Sequence, residues 1–164
     1  MVRLLDVALE QLTSIIYRMG EVAEKAINIS IRGFMNGKDV ANGVREISDM
    51  LNTMTVEVED KAFELIVRYQ PVASDLRIIN SYMKIAYDFE RYGRYAWDIS
   101  FTHKRIAKLD TCISFPNLME KLAEKVILMV NTSVRALRQH DAEGAKTLAD
   151  TENEVDKLYF EYLD

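Results

Sequence analysis

The sequence predicts an all-α fold: an antiparallel three-helix bundle, repeated, with the second repeat incomplete. Three observations carry this expectation. Apolar residues recur every three or four positions through most of the 164 residues, as on a helix face turned toward a helical partner. Glycine (6) and proline (2) are scarce, which leaves few turns and long helices. Hydrophobic residues make up 49% and charged residues 29%, the balance of a soluble protein with a sizeable core.

The first helix is expected over residues 2–35. Its stripe is Leu5, Leu9, Leu12, Ile16, Met19, Ala23, Ala26 and Ser30, in steps of four and three. Asn36-Gly37 ends it, because both residues tolerate the left-handed cap conformation. Asp39 is placed to cap the second helix, which carries Val40, Val44, Ile47, Leu51, Met54 and Val58 and runs to about Tyr69. Pro71 disfavours helical geometry at Gln70, so a tight bend falls there. Ser74 is read as a hydroxyl cap and Asp75 as a first-turn acid facing the positive helix end. The third helix then runs over 74–104, with Ile79, Met83, Ala86, Gly93 and Trp97 inward. Residues 106–115 read as a connector. Pro116 suits the first turn of a fourth helix ending near Gln139, and Asp141 can cap a fifth that continues to the end of the sequence.

The turns "NGKD" and "RQHD" sit in similar settings, each after a long helix and before an acidic one. This reads as an internal repeat of about 100 residues. The first unit is expected over 1–105, and 116–164 as the first two helices of a second. Helices one to three can close a bundle; four and five lack a third and would leave an apolar face wet. Another chain covers that face, or the fourth helix packs back on the first bundle, or the sequence is part of something longer.

The net charge of −5 argues against nucleic acid as a partner, since phosphate binding needs a basic patch. The single cysteine, Cys112, forms no internal disulfide and suits a reducing compartment. No apolar run approaches the roughly 20 residues needed to span a bilayer, and no signal peptide is evident. A cytoplasmic location is the default. There is no Ser/His/Asp set, Gly-rich phosphate loop or CxxC pair.

"QPVASDLRIINSYMKIAYDFERYGRYAWDIS", residues 70–100, resembles the PhoU family of phosphate-uptake regulators. The match is close at "QPVASDLR", the spacing to "DFERYGR" fits, and "HDAEGAKTLADTENEVDKLY" looks like the corresponding part of a second repeat. The resemblance implies two similar three-helix bundles and a non-catalytic, cytoplasmic, often dimeric protein. It implies a regulator of phosphate uptake and signalling that binds a phosphate ABC transporter ATPase or its sensor kinase. Two other readings stay open: a metal-binding helical protein and a structural oligomerisation module.

Some relatives hold iron or another divalent metal on paired Glu/Asp-x-x-x-Asp motifs. Carboxylates at i and i+4 share a helix face and supply hard oxygen ligands. Carried onto this sequence, the second-helix motif falls on Ser48 and Asn52, neither of them acidic. The third-helix motif falls on Glu90 and Arg94, where a cation stands in place of an acid. In the second repeat Glu152 and Asp156 keep the motif. Glu152 and Asp156 are therefore the metal candidates, with Glu90 behind them. The bland readings are a Glu90–Arg94 ion pair and a solvated acidic face at Glu152–Asp156. Asp75, Arg77, Glu90 and Arg94 are candidates for partner contact.

Asp88, Glu90 and Asp98 lack the Glu-x-x-His pairs of a carboxylate-bridged oxidase. His103 and His140 fall near helix C-termini, where surface or capping roles are expected. The aromatics of the third helix, Tyr82, Tyr87, Phe89, Tyr92, Tyr95 and Trp97, read first as core with an amphipathic rim; Tyr87, Tyr95 and Asp98 fall away from the main stripe and are the part open to recognition. The acidic run Glu57, Glu59, Asp60 and Glu64 reads as a solvated face or one that meets a basic partner.

Overall fold

The structure, a computed structural model, describes residues 3–109 and 117–163. Its five helices are α1 (Leu4–Met35), α2 (Ala41–Tyr69), α3 (Ala73–Ile106), α4 (Asn117–Gln139) and α5 (Ala142–Leu163), with a single 3₁₀ turn, Ala107–Leu109, after α3. There is no strand among the described residues. Cys112, Pro116 and most of the expected connector lie outside the described residues.

Helices α1, α2 and α3 pack pairwise into one bundle. Leu12, Ile16, Met19, Leu51, Leu65 and Ile79 are fully buried at its centre. Each large aliphatic side chain so buried contributes roughly 1.5–3 kcal/mol. The α1 stripe is as expected, with Leu9 at its margin. The α3 stripe differs. Met83 and Trp97 are only half-buried, and Phe89, Ala96, Ser100 and His103 turn inward with Ile79, Ala86 and Gly93. Between two helices, α3 buries a broader strip than one row. Trp97 falls at its edge, 5.4 Å between ring centroids from Phe101 and beneath the Arg45 guanidinium.

The turns after α1 and α4 share one geometry. Gly37 takes φ +68° and His140 φ +52°. Lys38 N–H donates to Gly33 O (2.8 Å), and Asp141 N–H donates to Ala136 O (2.9 Å). Both are helix endings in which a left-handed residue lets the next N–H reach back to an orphaned carbonyl. Of the expected pair Asn36-Gly37, only Gly37 enters the left-handed region; Asn36 stays at φ −95°.

At the helix starts, Asp141 Oδ1 accepts from Gly144 N–H (2.9 Å), whereas Asp39 stands one residue before the cap position, Val40, and its Oδ1 accepts from Ala41 N–H (3.1 Å). These bonds satisfy donors that a helix leaves open. Gln70 ends α2 in a left-handed conformation (φ 46°, ψ 58°) rather than the extended one favoured before proline, and Pro71, with no N–H to give, does not continue the helix. The expected Ser74 cap is not formed. Extended Val72 leads into α3 at Ala73, which puts Ser74 inside the first turn, and no side chain caps it.

α4 seats against α1. Val134 enters the core around Leu12 and Phe89, and Val130 packs with Ala26, Ile27 and Ala96. Of the three ways to cover α4, packing back on the first bundle is the one observed. α5 packs on α4, and none of its described side chains is buried.

Candidate functional site

The middle of α3 is held by a close approach to α2. A Cβ on Gly93 would stand 2.7 Å from Leu51 Cδ1 and 3.2 Å from Ser48 Cα. Only glycine lets the two helices meet there, and this brings Ser48 against the Glu90–Arg94 turn. One turn earlier, Thr55 Oγ1 lies 3.3 Å from Ala86 O. Glu90 is half-buried, and its Oε1 is 3.4 Å from Arg94 Nε. Asn52 is exposed one turn beyond Ser48. The arrangement is a single carboxylate neutralised by a guanidinium beside a hydroxyl. Hard cations are held by several oxygens, and here Arg94 adds repulsion. Among the described residues no three His, Cys, Asp or Glu side chains gather as a metal site.

Asp75 and Arg77 part company at the α2–α3 bend. The Asp75 side chain is 10% exposed and lies 3.4 Å from Arg3 Nη1, tying the start of α3 to the start of α1. Arg3 also grips Asp6 at 2.6 Å, a bond that pulls the Asp6 carboxyl below its ordinary range. Arg77 is exposed, and no ion pair engages it among the described residues. Of the two, Arg77 is the one presented outward.

Glu152 and Asp156 lie exposed one turn apart on α5. Glu154 between them pairs with Lys125 of α4, and that bond lowers its carboxyl pKa. The acidic run on α2 is only partly neutralised. Glu57 meets Arg18 (3.7 Å), and Glu64 meets Lys61 (3.1 Å) and Arg68 (3.3 Å). The Lys61 bond chiefly pulls the Glu64 carboxyl down. Glu59 and Asp60 have no ion pair among the described residues.

The histidines differ from expectation in one case. His103 is not a surface residue: it is buried against Phe34, 5.7 Å between ring centroids, and its Nδ1 has no hydrogen-bond partner. The wider inward strip of α3 carries it inside. His140 is exposed at the turn after α4, with Nε2 3.1 Å from Tyr17 Oη of α1.

The sequence reading passed over Arg91. Its Nη2 donates to Tyr95 Oη (2.6 Å), and its guanidinium lies 5.9 Å and 5.4 Å from the Tyr87 and Tyr95 ring centroids. Four-residue spacing to both tyrosines was the available signal. The pair of tyrosines is thus bridged by a cation on the outward face. Nearby, an open cleft of about 520 Å³ between α3, α4 and α5 is lined by Phe89, Tyr92, Leu137, His140 and Leu148. None of these groups forms a nucleophile–base pair.

Comparison with known proteins agrees with this architecture. The PhoU domain family model matches residues 16–101 and 119–164. A phosphate-specific transport system accessory protein PhoU homolog from Clostridium acetobutylicum is 31% identical over 153 residues, 92% of this chain and 69% of its own length. Proteins of the same description from Pseudomonas aeruginosa and Aquifex aeolicus are 28% and 29% identical, each over 152 residues and 92% of this chain. The chain spans 63% of the length of the Pseudomonas aeruginosa relative and 68% of the Aquifex aeolicus one. No described helix is long and apolar enough to cross a membrane.

Proposed function

The chain belongs to the PhoU family, and from that premise we propose that it is a non-catalytic regulator of phosphate transport that works by binding. The match of the family model along both halves of the chain carries this reading. Relatives from several organisms are named as accessory proteins of a phosphate-specific transport system. The side chains agree: ion pairs and aromatic faces line the outside of α2 and α3, where a docking protein presents its surface.

The partner is a phosphate ABC transporter ATPase or its sensor kinase, met in the cytoplasm. Docking acts as a regulator only if the chain has different affinities for two states of that partner. Arg77 and the Glu90–Arg94 turn are the contacts we assign to it. The protein acts as a homodimer or larger assembly, because α5 presents no buried side chain. In cells lacking this chain, phosphate uptake should run unrestrained in high phosphate, and re-expression should restore restraint. Arg77→Glu should fail to restore it while folding normally. Unchanged uptake in the deletion strain would remove the regulatory reading. Stoichiometric iron in protein purified without chelator, abolished by Glu152→Ala, would replace it with the metal-binding one.

A further inference from the structure

The outward face of α2 carries three large apolar side chains in one line. Val56 is 51% exposed, Phe63 59% and Val67 77%. Their spacing of seven and four puts them on one side of the helix, opposite the buried row Leu51, Met54, Val58, Ala62 and Leu65. A helix that already buries one apolar face in a closed bundle has a second apolar line turned to water. Single exposed apolar residues are ordinary, but an aligned set rimmed by charge marks an interaction surface. The rim is acidic. Along residues 49–68, Asp49 pairs with Arg45, Glu57 with Arg18 of α1, and Glu64 with Lys61 and Arg68, so Glu59 and Asp60 carry the uncompensated charge. Asp60 sits within the apolar line, and neither it nor Glu59 has an ion pair among the described residues. Beside the line, an open cleft of about 710 Å³ runs between Ile15 of α1 and Val56, edged by Glu57, Asp60 and Glu64.

We propose that this face is a docking surface for a cationic amphipathic helix of a partner protein. The charges choose among occupants. The same face of a second copy would set the unpaired Glu59 and Asp60 against their own copies. An anionic lipid surface and nucleic acid are repelled for the same reason. A helix with apolar side chains at i, i+4 and i+7 and lysine or arginine beside them meets both features at once. Its apolar row covers Val56, Phe63 and Val67, and its cations answer Glu59 and Asp60. This deepens the regulatory reading by naming the chemistry of the partner segment, and it rests on that reading only for the partner's identity.

The test uses a synthetic leucine–lysine amphipathic helix and its leucine–glutamate counterpart, each dye-labelled, titrated with the whole chain and read by fluorescence anisotropy. The lysine peptide should bind and the glutamate peptide should not. Phe63→Ser with Val67→Ser leaves every charge in place and should weaken binding about tenfold or more, as should Glu59→Lys with Asp60→Lys. Amide shifts in the unaltered protein should map to α2 around Val56 and Phe63, a readout that needs no variant to fold. The proposal falls if neither peptide binds, if the shifts map elsewhere, or if the serine variant binds as tightly as the parent. That last result would make the face a solvated acidic patch that attracts any polycation. No transporter component is present, so the outcome is independent of whether the chain regulates phosphate uptake.

Discussion

Glycine 93 shows how much one missing carbon decides. Leu51 is fully buried, and the other near neighbour is the Ser48 backbone, so neither yields cheaply. Gly93→Ala would gain helix propensity of up to about 1 kcal/mol, but the overpacking costs roughly 1–3 kcal/mol. Net destabilisation is expected, read as a lower midpoint in urea unfolding. A midpoint at or above the parent's would show that α2 and α3 can separate there. The neighbouring Arg94 falls, on the motif carried over from the family resemblance, where a second acid is expected. Arg94→Asp restores one carboxylate but leaves Ser48 and Asn52 without any. Equilibrium dialysis should therefore detect no tight iron binding by that variant. Tight binding would mean that Ser48 and Asn52 are wrongly aligned with the motif. The Glu90–Arg94 pair was legible because i,i+4 spacing is local. The Arg3–Asp75 pair was not, because it joins residues 72 apart in sequence.

At the scale of elements, helix ends were readable wherever the signal was chemical and short-range. Asp39, Gly37 and Asp141 each satisfy or permit a specific backbone bond, and each does so in the structure. Ser74 misled because the path of Val72 fixes where α3 starts, and no hydroxyl rule encodes that path. His140 gave no warning that it would take the left-handed position filled by glycine in the first turn; only the parallel with "NGKD" hinted at it. The Asp39 carboxyl is held below its usual range, first by the Ala41 N–H and then by Lys104. A depressed folded pKa means that its stabilisation is complete above the unfolded value, about 3.8, and is lost as pH falls through the folded value. Asp6, Glu64 and Glu154 shift in the same direction. The urea midpoint should therefore fall below about pH 4. Asp39→Ala should lie below the parent at neutral pH and approach it in acid. A gap of constant size across that range would show that the carboxylate charge is not what stabilises the start of α2.

For the whole molecule, the periodic stripes gave the helices, but they could not say which bundle α4 joins. Its apolar face fits a partner on either side, and only three-dimensional packing shows Val130 and Val134 taken into the α1–α3 core. That settles one side of α4 and leaves α5 resting on the other, with Phe160 and Leu163 exposed along it. Such a helix gains little from burial, and helices in proteins draw most of their stability from packing an amphipathic face. A further apolar surface laid on the hairpin would supply what is missing. A second copy is the surface always at hand, which is why the chain is expected to self-associate. Light scattering across a dilution series should give a mass of at least a dimer at high concentration. Phe160→Asp puts a charge into the uncovered face and should shift dissociation to about tenfold higher concentration. α4 packs on α1 and α5 and makes no packing contact with α2, so Phe63→Ser should leave that mass unchanged. A chain that stays monomeric throughout would mean that the hairpin with α4 alone is enough to hold α5.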